Sequence, residues 1–542
     1  MATTRLTPEL IREFTDSGAW QGNLIDDYLS SAAREAPTRI AVTDRGRNWT
    51  FTALNRVVDA LAAALQHHGI GRGDVVSWQL PNWVEACAIH LAAIRIGAVS
   101  NPIIPIYRHS ETKFILQQAG SKIAFVPSTF RGFDYADMFA ELSADLSELQ
   151  STVVVGAPAT RPGEVSFDAF IDGFQDTQPA PVDRDANDLV LLLYTSGTTS
   201  APKGAMHTHN TLDYENRSII ELLDLTDSDV VFMPSPVGHI TGILYGIQLP
   251  PMLRSGVALL DVWDPSAGLA LIEQRHCTTT VAATPFLHGL AHHPSLDTHD
   301  VSSMKNFLCG GADVPPDLIT AATNSLDCMV ARVYGSTEYP TASSSNVTDP
   351  APKRARTDGR AISQAQLRVV DGNDADIVGQ VGEVLLRGPE MFIGYLDSSL
   401  NDESFTDDGW FRTGDLGRLD PEGYLEITGR KKDIIIRGGE NFSAREVEDH
   451  LFTHPKISEV AVIGSPDPVL GERVCAVVVP EPHATLSLDD IASWLQERKV
   501  AKQKLPESMI LIDAMPRTAS GKIQKFKLRD MAAHQTKQGS LP

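Results

Sequence analysis

The sequence predicts an α/β protein with more than one domain, and three observations support this. The chain has 542 residues, which is more than a single hydrophobic core accommodates. In its first part, short apolar runs alternate with amphipathic segments, as is typical of a doubly wound α/β layer. Near its end, apolar runs at residues 460–463, 474–479 and 509–512 predict the strands of a second, smaller α/β domain.

The elements of the first part can be predicted in order from apolar spacing and from capping residues. They are a helix over residues 24–33 capped by Asn23, a strand at 40–42, a helix capped by Thr52 that ends near His68, and a strand at 75–80. The next segment, residues 84–106, is the most apolar of the chain. It carries Glu85, His90 and Arg95, so it predicts a buried helix and strand and no membrane span.

A strand followed by a polar loop stands out at residues 189–204. Five apolar residues lead into Tyr194, and the chain then continues through hydroxyl residues and glycine to a lysine. Such a loop offers backbone N–H groups, hydroxyls and one ammonium, which suits a polyphosphate. It is not a Walker A loop, because Pro202 stands where that motif needs glycine. The loop contains Thr195, Ser196, Gly197, Thr198, Thr199 and Lys203.

This stretch resembles the phosphate-binding signature of the adenylate-forming superfamily, which includes acyl-CoA synthetases, adenylation domains of peptide synthetases and beetle luciferases. It departs from the family pattern at Ser200, where glycine is usual. Further motifs follow in the family's order, so the resemblance covers roughly residues 24–529. It implies that residues 195–199 and Lys203 hold the β- and γ-phosphates of ATP, with Thr195 among the catalytic residues.

Two of these further motifs, LCGGADVP at 308–315 and VYGSTEYP at 333–340, lie in the middle of the chain. By resemblance, the first lies against adenine and the acyl group, and the second supplies an adenine-stacking ring, a threonine near the α-phosphate and a carboxylate for Mg²⁺. One carboxylate together with phosphate oxygens suits that cation. The residues implied are Gly310, Gly311, Ala312, Tyr334, Gly335, Thr337 and Glu338.

The last motifs lie in the C-terminal third, at 410–416 (WFRTGDL), 429–433 (GRKKD) and 516–525 (PRTASGKIQK). By resemblance, Asp415 contacts the ribose, Arg430 contacts ribose or phosphate, and Lys522 is the lysine of the adenylation step. Lys432 is the implied hinge between an N-terminal domain of residues 1–430, which includes a β-barrel-like subdomain, and a mobile C-terminal domain of residues 431–542.

The segment at residues 234–242 resembles the family element beside the acyl pocket, with His239 in the position of its histidine. It has no acidic residue, so an α-ammonium group would stay unpaired there. This favours a carboxylic acid without an α-amino group. The residues expected to line the pocket suit an apolar acid of middling size, medium-chain, cyclic or aromatic, and the segment resembles that of bacterial medium-chain and cyclohexanecarboxylate-type ligases. The expected pocket lining is Val237, His239, Phe286, Gly310, Gly335 and Tyr339.

Bulk properties exclude several classes of partner. The net charge of −23 argues against nucleic acid and disfavours anionic membranes. Five scattered cysteines signal neither zinc nor disulfides, and for His207 and His209 a structural role is favoured over a metal. The N-terminus does not resemble a secretory signal, so a cytoplasmic enzyme without stable membrane insertion is expected, and a homodimer is left open.

Together these features predict an AMP-forming acid–thiol ligase that uses ATP, Mg²⁺ and coenzyme A to convert a carboxylic acid into its thioester. One alternative keeps the adenylation step but loads the acyl group onto a carrier protein. A luciferase-like monooxygenase is a further alternative, and a binding protein without catalysis is the weakest, because each motif keeps its charged residue.

Overall fold

The computed structural model describes residues 4–195, 202–311, 314–437, 440–467, 469–518 and 522–537. The chain divides into two compact units: Met1–Gln366 with Leu386–Gly409, and Leu367–Leu385 with Trp410–Pro542. The predicted boundary at residue 430 separates the N-terminal domain from the C-terminal domain that is expected to move. It stays a prediction. Among the described residues, no helix is both long and apolar enough to cross a bilayer.

The first unit alternates strands with helices, as predicted. Its helices are α1 Pro8–Asp16, α2 Ile25–Glu35, α3 Phe51–His67, α4 Val84–Arg95, α5 His109–Ala119, α6 Tyr135–Ser143, α7 Phe167–Ile171, α8 His209–Leu223, α9 Leu249–Leu253, α10 Pro265–Arg275, α11 Thr284–Ala291, α12 Pro316–Leu326, α13 Ala351–Arg356 and α14 Asn401–Ser404. Its strands are β1 Ile40–Asp44, β2 Arg47–Thr50, β3 Val75–Trp78, β4 Val99–Pro102, β5 Ser121–Pro127, β6 Thr129–Phe130, β7 Phe133–Asp134, β8 Ser151–Val155, β9 Glu164–Ser166, β10 Leu189–Thr195, β11 Lys203–Thr208, β12 Val230–Met233, β13 Gly256–Leu259, β14 Thr279–Ala282, β15 Asn306–Gly310, β16 Met329–Tyr334, β17 Ser343–Ser344 and β18 Arg360–Ala361.

Two large sheets organise this unit. Over the described residues, one has nine strands in the order β18-β17-β16-β15-β14-β12-β13-β1-β2, and the other has seven in the order β11-β10-β4-β3-β5-β8-β9. Most neighbouring pairs are parallel, and the antiparallel pairs lie towards the edges. Parallel strands require crossover connections, which explains the alternation of strand and helix along the chain.

The core lies on both faces of each sheet. In β12, Val231 belongs to the main hydrophobic cluster, whereas the adjacent Phe232 belongs to the cluster around α10–α12. Likewise, in β10, Leu191 and Leu193 join the main cluster, and Leu192 joins a third one. Successive side chains of a strand point to opposite faces, so both sheets are covered on both sides. The predicted doubly wound layers are thereby confirmed.

Helices α2 and α3 begin at residues other than those predicted. Thr50, and not Thr52, is the N-cap of α3, because its hydroxyl accepts a hydrogen bond from the Ala53 N–H. Leu24 is the N-cap residue of α2, while the Asn23 amide donates to Asp213 on α8. Asn23 is therefore used for a tertiary contact and not for capping.

The second unit contains the remaining elements. They are β19 Gln366–Val370, β20 Gly382–Arg387, β21 Phe411–Leu419, β22 Leu425–Arg430, β23 Ile434–Arg437, β24 Glu440–Ser443, β25 Ile457–Asp467, β26 Gly471–Pro480 and β27 Ser508–Leu511, with α15 Ala444–Leu451, α16 Leu488–Glu497 and α17 Lys525–Lys537. One sheet has the order β19-β20-β21-β22, and a β-barrel-like subdomain within residues 1–430 stays a prediction. The three strands predicted near the C-terminus are β25, β26 and β27 of the second sheet.

Candidate active site

The predicted adenine and acyl residues converge because of strand direction. Strands β12, β14, β15 and β16 are parallel neighbours in the nine-stranded sheet, so their carboxyl ends share one edge. Ligands of open α/β sheets bind outside this edge. The residues that end or follow these four strands are Val237 and His239, Phe286, Gly310 and Gly311, and Tyr334, Gly335, Thr337 and Glu338.

Asn82 holds the segment that follows β12 in place. Its side-chain oxygen accepts a hydrogen bond from the Val237 N–H at 2.8 Å, and its amide donates to the carbonyls of Ser235 and Leu260 at 2.8 and 2.9 Å. Val237 is completely buried, whereas the predicted acyl-site residue His239 keeps partial exposure. The backbone around Val237 is therefore fixed.

A π-helix, Gly242–Gln248, begins directly after the predicted acyl segment. Wide turns of this kind are rare and often mark functional sites. Gly242 permits this turn, because a Cβ atom there would lie 2.2 Å from the Pro236 carbonyl oxygen. On the neighbouring strand end, Phe286 is buried on α11 and packs edge-on against Trp263, with ring centroids 4.9 Å apart.

Glycine is required at two positions of this edge, because another part of the backbone passes too close for a side chain. A Cβ atom on Gly310 would lie 2.2 Å from the Val333 carbonyl oxygen of the neighbouring strand. A Cβ atom on Gly335 would lie 1.8 Å from the Pro340 carbonyl oxygen. Glycine at position 310 therefore allows close packing of β15 against β16, while its predicted place beside adenine and the acyl group stays a prediction.

The loop after β16 is anchored by buried polar contacts. His207, which burial keeps at a pKa of about 4, lies with Nε2 2.8 Å from the Thr337 carbonyl oxygen. That oxygen only accepts, so Nε2 carries the proton and the neutral Nδ1 accepts from Thr211. Tyr339, predicted in the pocket, is completely buried, and its hydroxyl donates to the Arg387 carbonyl.

Glu338 lies in the same loop and is nearly buried, at 8% exposure. Its Oε1 accepts a hydrogen bond of 2.7 Å from the hydroxyl of Tyr395. The pKa of Tyr395 is raised, first by burial and then by the charge of Glu338, so the phenol is a donor. The ammonium of Lys203 lies 5.2 Å from the centroid of the Tyr395 ring. Two residues predicted to bind Mg·ATP thus contact the same tyrosine.

The described part of the phosphate-binding stretch is a hairpin-like pair. Thr195 ends β10 and Lys203 begins β11, and the two residues are register partners in this antiparallel pair. The Thr195 hydroxyl lies 3.5 Å from the Lys203 carbonyl oxygen. Four predicted phosphate-binding residues and one adenine-site residue lie outside the described residues: Ser196, Gly197, Thr198, Thr199 and Ala312.

The second unit holds the predicted ribose residue and the predicted hinge. Asp415 on β21 and Arg430 on β22 are register partners, with Arg430 Nε 3.0 Å from Asp415 Oδ1. Partial desolvation of its ammonium lowers the pKa of Lys432 to about 8, although the residue as a whole is exposed. Its neighbour Asp433 pairs with Arg529 on α17 at 2.6 Å, and Arg529 also contacts the Lys432 carbonyl.

Lys522 lies in the described segment just before α17. Its backbone is closed into a turn, because its N–H donates to the Thr518 hydroxyl at 3.0 Å and its carbonyl accepts from the Thr518 N–H at 2.7 Å. The role of its side chain stays a prediction, as do the roles of the other predicted site residues.

Comparison with known proteins agrees with this arrangement. Residues 29–396 match the profile of the AMP-binding enzymes, and residues 446–522 match that of the AMP-binding enzyme C-terminal domain. The chain belongs to the AMP-binding enzyme family. It is a ligase of the acyl-CoA synthetase type, as the motifs predicted.

Three similar proteins illustrate the range of this family. The medium-chain fatty-acid–CoA ligase of Escherichia coli is 39% identical over 95% of this chain and 92% of its own length. The 2,3-dihydroxybenzoate–AMP ligase of Bacillus subtilis is 30% identical over 96% of both. The crystal structure of ATP-bound MatB from Rhodopseudomonas palustris superposes with a TM-score of 0.83 at 29% identity, covering 94% of this chain and 99% of that one. The larger and smaller α/β domains of the predicted fold are thereby confirmed.

Sequence reasoning missed Tyr395. It lies 57 residues after Glu338, so no local spacing connects the two. The available signal was weak: one tyrosine after a glycine in the apolar stretch 391–396. This tyrosine becomes significant only in the structure, where residues 393–396 pair with β11.

Proposed function

We propose that the protein is an ATP- and Mg²⁺-dependent carboxylate–CoA ligase for an apolar acid. The carrying observation is the shared edge of the nine-stranded sheet, where the ends of four parallel strands bring together the segments predicted to bind adenine, the α-phosphate and the acyl group. A cytoplasmic location and a homodimer stay predictions.

In the first half-reaction, the substrate carboxylate attacks the α-phosphorus of ATP, and pyrophosphate leaves. No protein nucleophile is required, so positioning and charge stabilisation account for the catalysis. Lys203 and Thr195 are proposed to hold the phosphates at the junction of β10 and β11. Thr337 is proposed to approach the α-phosphate from the loop that His207 anchors. Lys522 is proposed to balance the charge that develops on the phosphate and carboxylate.

The residues near Glu338 fit Mg²⁺. This hard cation takes one or two protein carboxylates and completes its shell with water and phosphate oxygens. Glu338 supplies one carboxylate, with Oε1 oriented by Tyr395. When bound, the cation would neutralise phosphate charge and orient the phosphates. Glu338 would hold it, and Lys203 would share the same phosphates.

An apolar acid is supported by the chemistry of the segment after β12. Residues 234–242 carry no acidic side chain, so nothing there would pair with an α-ammonium group. Val237 and Phe286 are buried and apolar. The name of the medium-chain ligase supports an acid of middling length. Free amino acids are therefore expected to be poor substrates.

In the second half-reaction, the thiol of coenzyme A is proposed to attack the acyl carbonyl and release AMP. The alternative acceptor, a phosphopantetheinylated carrier protein, is supported by the relative named only as an AMP ligase. Both readings share the adenylation step and differ in the acceptor of the acyl group.

A two-stage assay tests the proposal. Pyrophosphate release with acids of graded length, with benzoates and with free amino acids defines the acid, and transfer to coenzyme A or to a loaded carrier protein defines the acceptor. We expect medium-length or cyclic acids to exceed every amino acid, and coenzyme A to exceed the carrier. Higher activity with an amino acid would contradict the substrate class, and transfer only to the carrier would favour the alternative.

A further inference from the structure

Tyr395 is fixed by backbone pairing to the strand that carries Lys203. Residues 393–396 run beside β11: the Ile393 N–H donates to the Met206 carbonyl at 2.9 Å, and the Leu396 N–H donates to the Gly204 carbonyl at 2.8 Å. Tyr395 itself forms an antiparallel bridge with Ala205. The phenol ring thus has a set place next to the phosphate-binding stretch.

The ring has little freedom to move from this place. Tyr395 is 4% exposed, and Phe392 packs edge-on against it with centroids 4.9 Å apart. The Phe392 N–H also donates to the Glu338 carbonyl at 2.9 Å, so the segment that carries Tyr395 is hydrogen-bonded to the loop that carries Glu338. Backbone and side chain together join two loops from two different sheets.

The two contacts of Tyr395 are chemically complementary. Its hydroxyl donates to Glu338 Oε1, which orients the carboxylate and leaves its negative charge intact. Its ring lies 5.2 Å from the Lys203 ammonium, which a π face attracts without occupying the three N–H donors. A direct Lys–Glu ion pair would instead consume the charge that phosphate and cation need.

We propose that Tyr395 is a positioning residue for Mg·ATP, which holds the metal-binding carboxylate and the phosphate-binding ammonium in place and keeps them from pairing. This inference rests on the proposed function, because it takes Glu338 and Lys203 as the groups that bind the metal and the phosphates. Tyr395 acts through these two residues and takes no part in bond making.

The hydroxyl contact is tested with Tyr395→Phe, which keeps the ring. The probe is α,β-methylene-ATP, measured by titration calorimetry with Mg²⁺ and with EDTA. Loss of a hydrogen bond to a charged group should weaken the Mg²⁺-dependent affinity by about tenfold. Affinity for the metal-free analogue should stay at the wild-type value, because the ring still faces Lys203.

Tyr28→Phe is the matched control. Tyr28 lies on α2 of the first unit, and its hydroxyl donates to the buried carboxylate of Asp213 at 2.7 Å. Its loss should lower thermal stability and leave both nucleotide affinities unchanged. If Tyr395→Phe behaves in the same way, Tyr395 is structural and the proposal is wrong.

A double-mutant cycle with Glu338→Gln gives a second, independent readout. If Tyr395 acts through the carboxylate, adding Tyr395→Phe to Glu338→Gln should not weaken Mg²⁺-dependent binding further. Additive losses would overturn the proposal. Wild-type protein that binds neither form of the analogue would refute the proposed function itself, and that result is distinct from a failure of Tyr395.

The ring contact is tested with Tyr395→Leu, which removes the π face. We expect metal-free analogue binding to weaken by about threefold relative to Tyr395→Phe, as for loss of one cation–π contact. Equal metal-free affinities of the two variants would remove Lys203 from the proposal.

Discussion

The surroundings of Glu338 in the first unit differ from those of Asp415 and Asp433 in the second. Glu338 is oriented by a neutral phenol, and the ammonium of Lys203 lies 5.2 Å from the centroid of the same ring. Asp415 and Asp433 are instead held by arginines, at 3.0 and 2.6 Å. Neutral donors fix a carboxylate without cancelling its charge, whereas an ion pair leaves a site with little net charge.

This difference suggests different tasks for the two regions. A carboxylate that must bind a cation needs its charge, so neutral contacts suit the first region. The paired charge of Asp433 suits a structural role near the predicted hinge, where Arg529 connects α17 to residues 432–433. If this view is right, substitutions around Glu338 should affect nucleotide binding and acyl-AMP formation, whereas Lys432→Pro beside Asp433 should affect thioester formation.

The largest effect is expected for Lys522→Ala. Loss of one preorganised charge donor should lower acyl-AMP formation by about 10²–10³-fold, while thioester formation from supplied acyl-AMP is largely spared. Measuring both half-reactions separately checks this. Lys527→Ala, an exposed lysine on α17, is the control and should leave both rates unchanged. Equal losses in the two half-reactions would make Lys522 structural or used throughout.

Elements whose signals lie within one short segment could be predicted from the sequence, since their order and spacing are local. The loop 333–340 and the strands near the C-terminus are examples. The partners of these motifs could not be predicted, because they depend on sheet topology. His207 meets Thr337 across 130 residues, and Tyr395 meets Glu338 across 57.

The predictions of two helix starts, at Asn23 and Thr52, failed for a different reason. Asn23 and Thr52 are both good capping residues, but capping requires that the side chain face the first turn. In the fold, Thr50 ends β2 and leads directly into α3, and Asn23 is drawn to Asp213. Tertiary contacts therefore decided between neighbouring candidates that local preference could not separate.

The second-largest effect is expected for a substitution at the predicted hinge. Proline fixes its own φ near −65° and restricts the residue before it, so Lys432→Pro should trap one arrangement of the chain around Lys431 and Lys432. We expect acyl-AMP formation to continue and thioester formation to fall on the order of 10²-fold, as for misplacement of reacting groups. Rapid-quench measurement of each half-reaction checks this.

Lys432→Ala is the matched control for the hinge, because it removes the ammonium and keeps backbone freedom. It should change either half-reaction by only a few-fold, on the order of one surface charge contact. Equal damage by alanine and proline would assign the effect to the side chain. Normal thioester formation in the proline variant would exclude the hinge.

The smallest effect is expected for the pH dependence of stability that arises from the buried residue Glu215. Glu215 on α8 is completely buried, and burial raises its pKa to about 7 against the hydrogen bonds from Tyr245 and Thr341. Between the ordinary pKa of 4.5 and 7, the folded state keeps a proton that the unfolded state loses. Stability should therefore fall as pH rises through this window, by about 3 kcal/mol in total.

Glu215→Gln removes this titration and keeps an oxygen that accepts from Tyr245. The midpoint of thermal unfolding should then fall less between pH 5 and pH 8 than in the wild type, by a few degrees. Glu390 is also buried and close enough to interact with Glu215. Its pKa is raised as well, so some pH dependence of stability should remain. Glu221→Gln, an exposed position on the same helix, should follow the wild-type curve. Parallel curves for Glu215→Gln and the wild type would mean that Glu215 binds no additional proton in the folded protein, and the raised pKa of this buried carboxyl would then be wrong.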